Sequence, residues 1–167
     1  DPDFVKGYPL VPSQRISTTL AKQLALYVVI NSPLQMASDF IENYKSHPAF
    51  EFIKAVPVSW DTTIVLNGEI ENYLTIARKD RQSRDWYIGS ITNQNSRSFQ
   101  FELSFLEEGN YQASIYSDGK QTDLEKKPIV YDLTKKVFSR GDTLKVYMTG
   151  GGGQAVQLKY IGERMHY

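Results

Sequence analysis

Acids are the residues of this chain whose type and spacing could do chemistry. Hydrolysis of a glycosidic bond takes two carboxyl groups on opposite sides of the bond, about 5 to 10 Å apart. Two close pairs occur, Glu69 with Glu71 and Glu107 with Glu108. Glu69 and Glu71 hold alternate positions, which on a strand turns both to one face with no cleft around them. Glu107 and Glu108 precede a Gly109-Asn110 turn signal and read as solvated side chains. Neither pair is expected to be catalytic. Asp39 stands apart. It closes the stretch "SPLQMASDF", either as a group that meets a ligand or as the cap of the next helix, "FIENY". The histidines, His47 and His166, are too few and too far apart in the chain for a zinc site; His47, ahead of Pro48, reads as a turn residue. No Ser-His-acid arrangement is present, and the run Gly150 to Gly153 lacks the lysine and following helix of a phosphate loop. "KDRQSRD" reads as a solvated hairpin loop. No catalytic residue and no metal ligand is assigned.

Composition narrows the class. The 167 residues are 41% apolar, enough for a sizeable core. Nineteen basic and 19 acidic residues balance to zero, which argues against a nucleic-acid partner or an anionic membrane surface. No apolar run is long enough to span a bilayer, and the absence of cysteine removes disulfides and thiolate metal sites. The opening "DPDFVKGYPLVP" has no signal-peptide pattern and reads as a portion of a longer polypeptide.

The elements that must position these residues change period partway along the chain. Ser17 can cap a helix over "TTLAKQLALYVVIN", with Leu20, Leu24, Tyr27 and Val28 on one face. Ala21, Ala25, Leu26 and Val29 leave it little polar surface, so it should be buried nearly all round and needs neighbours. Pro33 stops it. "LQMAS" is apolar enough for a buried strand, with Met36 in the core, and "SDFIENYKS" and "PAFEFIKAV" follow as short helices, Pro48 near the first turn of the latter. From Val58 the period becomes two. Phe99, Phe101, Leu103 and Phe105 alternate with polar residues, as do Tyr111, Ala113 and Ile115, then Leu144, Val146 and Met148, then Val156, Leu158 and Tyr160. Further strands are expected at 62–69, 73–79, 85–92 and 128–134, punctuated by turns at Asn67-Gly68, Gly109-Asn110, Asp118-Gly119, Gly141-Asp142 and the glycine run. About eight short strands read as an antiparallel β-sandwich. Trp60, Trp86 and Tyr87 are either sugar-stacking aromatics or packing residues; Ile88 and Ile91 have opposite parity, so one of Trp86 and Tyr87 must face outward or toward a neighbouring domain, and core or interdomain packing is the expected role.

Three segments, "QLALYVVINSPLQMASD", "VLNGEIENYLTIARKDR" and "DWYIGSIT", resemble the C-terminal portion of glycoside hydrolase family 97. The resemblance runs from about Arg15 onward. It implies a calcium-dependent α-glucosidase or α-galactosidase of the Bacteroidetes type, periplasmic or in the cell envelope, acting on an oligosaccharide with a terminal α-linked sugar. The fold implied is α+β: residues 1–57 end a catalytic (β/α)8 barrel and residues 58–167 form the C-terminal antiparallel β-sandwich. The family's catalytic carboxylates and calcium-ligating glutamates are implied upstream, so this chain alone is expected to be inactive and to hold no ligand. If "PLQMAS" ends the barrel, Asp39 lies at the rim where barrel active sites gather, with Gln35 as a further substrate-binding candidate. The partners expected are the remainder of the barrel or another copy of the chain. The alternative is a non-catalytic carbohydrate-binding or purely structural β-sandwich module.

Overall fold

The computed structural model describes residues 18–37, 41–44, 47–119, 121–122 and 129–162. Among these residues three helices come first: α1 (Leu20–Val29), α2 (Ile41–Tyr44) and α3 (Phe50–Ala55). The strands follow as β1 (Trp60–Glu69), β2 (Tyr73–Asp80), β3 (Trp86–Thr92), β4 (Arg97–Glu102), β5 (Asn110–Asp118), β6 (Tyr131–Ser139), β7 (Thr143–Met148) and β8 (Gly153–Gly162). One antiparallel sheet has the order β1-β2-β3-β8-β5-β6, and β4 pairs with β7 in a second.

The alternating strands behave as their period requires. β4 and β7 turn Phe99, Phe101, Leu144, Val146 and Met148 onto one face of the larger sheet, where they meet Trp86, Ile88, Tyr111, Ala113, Val156 and Leu158. Leu103 and Leu106, just past β4, are fully enclosed in this layer. The other face of the same sheet carries a second apolar layer, made by α1, α3, Trp60, Tyr87, Tyr116 and Ala155. The larger sheet is thus covered on both sides. That is why β3 is buried at nearly every position, and β8 at every position from Gly153 to Val156, instead of at every second one.

Helix α1 lies flat on β3 and β8 because small residues meet there. Ala21, Leu24, Ala25 and Val28 form its buried face, and below them Gly89 pairs with Ala155 and Ile91 with Gly153. A Cβ at Gly89 would stand 2.6 Å from the Ala25 carbonyl oxygen and 3.0 Å from Val28 Cβ. At Gly153 it would stand 2.7 Å from Lys22 Cα. The helix backbone therefore rests almost directly on the sheet backbone. Thr19 caps the helix by accepting from the Lys22 amide; Ser17 lies outside the described residues. The helix packs on the sandwich, as its lack of a polar face requires, but only one face is fully buried and Leu26, Tyr27 and Val29 are half-buried.

Three expected elements are corrected. Residues 31–37 form no strand: Leu34 is 73% and Met36 75% exposed. A strand needs a neighbour to take its backbone hydrogen bonds, and none of the described residues supplies one there. Asn67-Gly68 is not a turn. Both residues pair with β2 just beyond a register shift at Val65, and the chain reverses at Ile70 to Asn72, where Glu71 takes a positive φ of 65°. The strand expected at 128–134 runs instead from Tyr131 to Ser139; most of its side chains are exposed, so it offered little apolar rhythm to read.

The helix seat predicts a sharp size limit. Gly89→Ala should cost about 1–3 kcal/mol by overpacking, and Gly89→Val more, in urea unfolding followed by circular dichroism. Ser98→Ala, on an exposed position of β4, should stay within about 0.5 kcal/mol. A Gly89→Val chain that unfolds like the parent would contradict the seat.

Candidate functional site

The acids singled out by type and spacing do not converge. Glu69 ends β1, while Glu71 sits in the turn, so they do not share the face of a strand. Both are exposed on the wall of an open cavity of about 500 Å³, beside Tyr73, Leu74, Asn93 and Lys22. Glu107 is not simply solvated: its carboxylate accepts from Lys79 Nζ at 2.5 Å and meets Arg84 Nε at 2.8 Å. The Lys79 hydrogen bond, more than any other cause, holds its carboxyl below the usual range. Glu108 pairs separately with Arg140. Two acids fixed by different cations leave no cleft between them for a bond to be cut.

Gln35 donates its side-chain amide to the Tyr27 carbonyl at 2.9 Å, and the Tyr27 hydroxyl donates to the Met36 carbonyl at 3.1 Å. This pair of bonds satisfies a carbonyl in the last turn of α1 and ties the following segment to it. Asp39 lies outside the described residues. His47 is a turn residue whose Nδ1 accepts from the Ala49 amide. The segment "KDRQSRD" is better organised than a solvated loop. Asp80 accepts from the Gln82 amide and the Ser83 hydroxyl, Arg81 donates to the Trp60 carbonyl, and Asp85 accepts from the Tyr160 amide.

The aromatic candidates are packing residues. Trp86 fills the layer between the sheets, 4.7 Å from Phe105 between ring centroids. Tyr87 faces the other way, edge-on to Phe52 and Trp60, and donates its hydroxyl to the Ala55 carbonyl. Burial pushes the Tyr87 phenol up to about 12. None of the three rings stands as a platform at the surface.

Sequence reasoning missed the buried charges under α1. Asp118, read as a turn residue, is 4% exposed at the end of β5. Its Oδ2 accepts from the Thr149 and Gly153 amides, each at 3.0 Å. Burial pushes its carboxyl up, against the pull of the Thr19 hydroxyl, these amides and Lys22. Lys22 donates to the Thr92 carbonyl at 2.8 Å, and burial pushes its ammonium down. At the other end of the helix, buried Arg78 donates to Thr63 and reaches the Val29 carbonyl, where the helix dipole favours a cation. The only signal for Asp118 was its place ahead of Gly119, which marks turns as readily as anchors. Chemically this arrangement ties α1 and the glycine run to the sheet. Among the described residues no group of three or more His, Cys, Asp or Glu could hold a metal ion, so they do not fit the implied calcium. No helix among them is long and apolar enough to cross a membrane.

The sign of the Asp118 shift makes stability depend on pH. Because the folded chain holds this proton more tightly than the unfolded one, the carboxyl contributes stability as pH falls through its raised range toward the ordinary value, and loses it as pH rises. Asp118→Asn keeps an acceptor for the two amides and should flatten that dependence above the usual Asp range. Asp118→Ala strands both amides and should cost about 1–3 kcal/mol. Thermal melts of the three chains across pH 4 to 8 check both points.

Residues 59–159 match the family described as glycosyl-hydrolase 97 C-terminal, oligomerisation. A retaining alpha-galactosidase of Bacteroides thetaiotaomicron is 34% identical over 153 residues, which cover 91% of this chain and 22% of that protein. A probable retaining alpha-galactosidase of Streptomyces bingchenggensis is 27% identical over 154 residues, or 92% of this chain and 22% of that protein. Among solved structures, a glycoside hydrolase family 97 enzyme from Pseudoalteromonas sp. strain K8, in complex with panose, superposes with a TM-score of 0.85 at 39% identity. The match covers 89% of this chain and 23% of that one. This chain therefore spans less than a quarter of the relatives it matches. With a β-sandwich that reproduces theirs and a family match over most of its strands, the chain belongs to glycosyl-hydrolase family 97, as the C-terminal portion of such an enzyme.

Proposed function

We propose that this chain is the C-terminal part of an exo-acting α-glycoside hydrolase whose sandwich buttresses the catalytic barrel. Residues 58–167 are the buttress, and residues 1–57 are the end of the (β/α)8 barrel. The observation that carries this reading is the inverted exposure after α1. Leu34 and Met36 are largely exposed, while polar Gln35 is turned inward to a backbone carbonyl. Apolar side chains presented in this way are suited to a neighbour that covers them, and the barrel is that neighbour.

The substrate is an oligosaccharide ending in an α-linked galactose or glucose. Support comes from the relatives: two are named as retaining alpha-galactosidases, and the Pseudoalteromonas enzyme holds panose in its complex. Asp39 and Gln35 belong, on this reading, to the barrel rim near the terminal sugar. Calcium belongs to the upstream carboxylates of the parent enzyme, which acts in the periplasm or cell envelope. The alternative of a sugar-binding module is not favoured, since Trp60, Trp86 and Tyr87 are buried.

Two measurements test the buttress. The isolated chain should hydrolyse neither aryl α-galactosides nor aryl α-glucosides; turnover that survives repurification would contradict it. Leu34→Glu should leave the melting of the isolated chain almost unchanged. In the parent enzyme the same substitution should destabilise by at least about 2–3 kcal/mol, the scale of a lost buried leucine, and should lower hydrolysis. Equal responses in the two proteins would reject a covered Leu34.

A further inference from the structure

The larger sheet has two edges, and they are built differently. β1 carries two register shifts against β2, after Trp60 and after Val65. Bulges of this kind twist an edge away from further pairing. β6 carries none: nine consecutive residues, Tyr131 to Ser139, pair with β5 without a break. Its side chains are exposed from Asp132 to Val137, with Leu133 at 40% and Val137 at 53%. A long, regular edge with exposed branched apolar residues is a template for another strand.

The sequence of β6, "YDLTKKVFS", is also complementary to itself. Laid antiparallel on a second copy and centred on Thr134, it sets Thr134 opposite Thr134 and Asp132 opposite Lys136. Leu133 then meets Lys135, and Tyr131 meets Val137. Thr–Thr, opposite-charge and aromatic–β-branched pairs are the combinations that stabilise neighbouring strands. Moving the centre to Lys135 would instead place two ammonium groups face to face. Asp132 and Lys136 have no ion-pair partner among the described residues, and the Lys136 ammonium rests 4.8 Å from the Phe138 ring centroid.

We propose that two copies of this chain associate through β6, pairing antiparallel across a two-fold axis at Thr134. The larger sheets then continue into one another, and two Asp132–Lys136 pairs flank the axis. This rests on the oligomerising role in the family's description and names the strand that performs it.

The chain contains no cysteine, so single cysteines report cleanly. Thr134→Cys should form a disulfide-linked dimer on mild oxidation, whereas Thr62→Cys, exposed on the opposite edge, should not. In sedimentation equilibrium Lys136→Asp should weaken dimerisation by about tenfold or more, because two attractive pairs become repulsive. The double exchange Asp132→Lys with Lys136→Asp should restore it. A chain that oligomerises but ignores these exchanges and fails to cross-link at Thr134 overturns β6 as the interface and leaves the oligomerising role intact. Cross-linking at Thr62 instead has the same meaning. A chain that stays monomeric at high concentration overturns both.

Discussion

The contact on which the rest depends is backbone against backbone, where α1 crosses β3 and β8. Without side chains at Gly89 and Gly153, the helix comes down until Ala21 and Ala25 meet the sheet itself. This closeness makes the larger sheet two-sided and lets Tyr87, Tyr116 and Phe52 pack as a second core instead of facing water. A bulkier strand would lift the helix and unseat everything on that face.

Once the helix is that close, its ends need polar partners that an apolar surface cannot give. Asp118 meets the first turn through Thr19 and Lys22, and Arg78 meets the last through Val29. Both charges are costly to bury, and hydrogen bonds offset part of that cost: Asp118 Oδ2 accepts from two amides and Arg78 donates to Thr63, while Asp118 Oδ1 and Arg78 Nε have no partner among the described residues. They explain why this face carries perturbed carboxyl and ammonium groups: the perturbation comes from holding a helix in place. A shifted pKa marks burial as often as chemistry, and here it marks burial.

Much of the sandwich was legible because period-two strands announce which side faces in. Phe99, Phe101 and Leu144 could be placed from spacing alone, and the opposite parity of Trp86 and Tyr87 correctly implied two different surroundings. What spacing could not convey was the second cover. β3 and the first half of β8 are buried on both faces, so alternation weakens where the structure is tightest, and "WYIGSIT" reveals its helix neighbour only through Gly89. The segment at Leu34 and Met36 misled for the opposite reason: its composition is that of an interior, but nothing among the described residues encloses it. Asn67-Gly68 has the chemistry of a turn, yet the pairing of Val65 to Glu69 with β2 overrode it. Of the candidate site, the packing role of Trp86 and Tyr87 could be read in advance. The Lys79–Glu107–Arg84 cluster could not, because its members lie on separate strands and loops.

β8, the latest of the described strands in the chain, lies in the middle of the larger sheet, between β3 and β5. As the polypeptide leaves the ribosome, β1 to β3 and β5 with β6 can form only two unconnected ribbons, each with an open flank. The strand that joins them emerges last, and the seat for α1 is complete only when Gly153 and Ala155 arrive. The sheet is thus held open until synthesis has passed its centre, and a message cut short before residue 153 would yield two ribbons with exposed edges instead of a smaller domain.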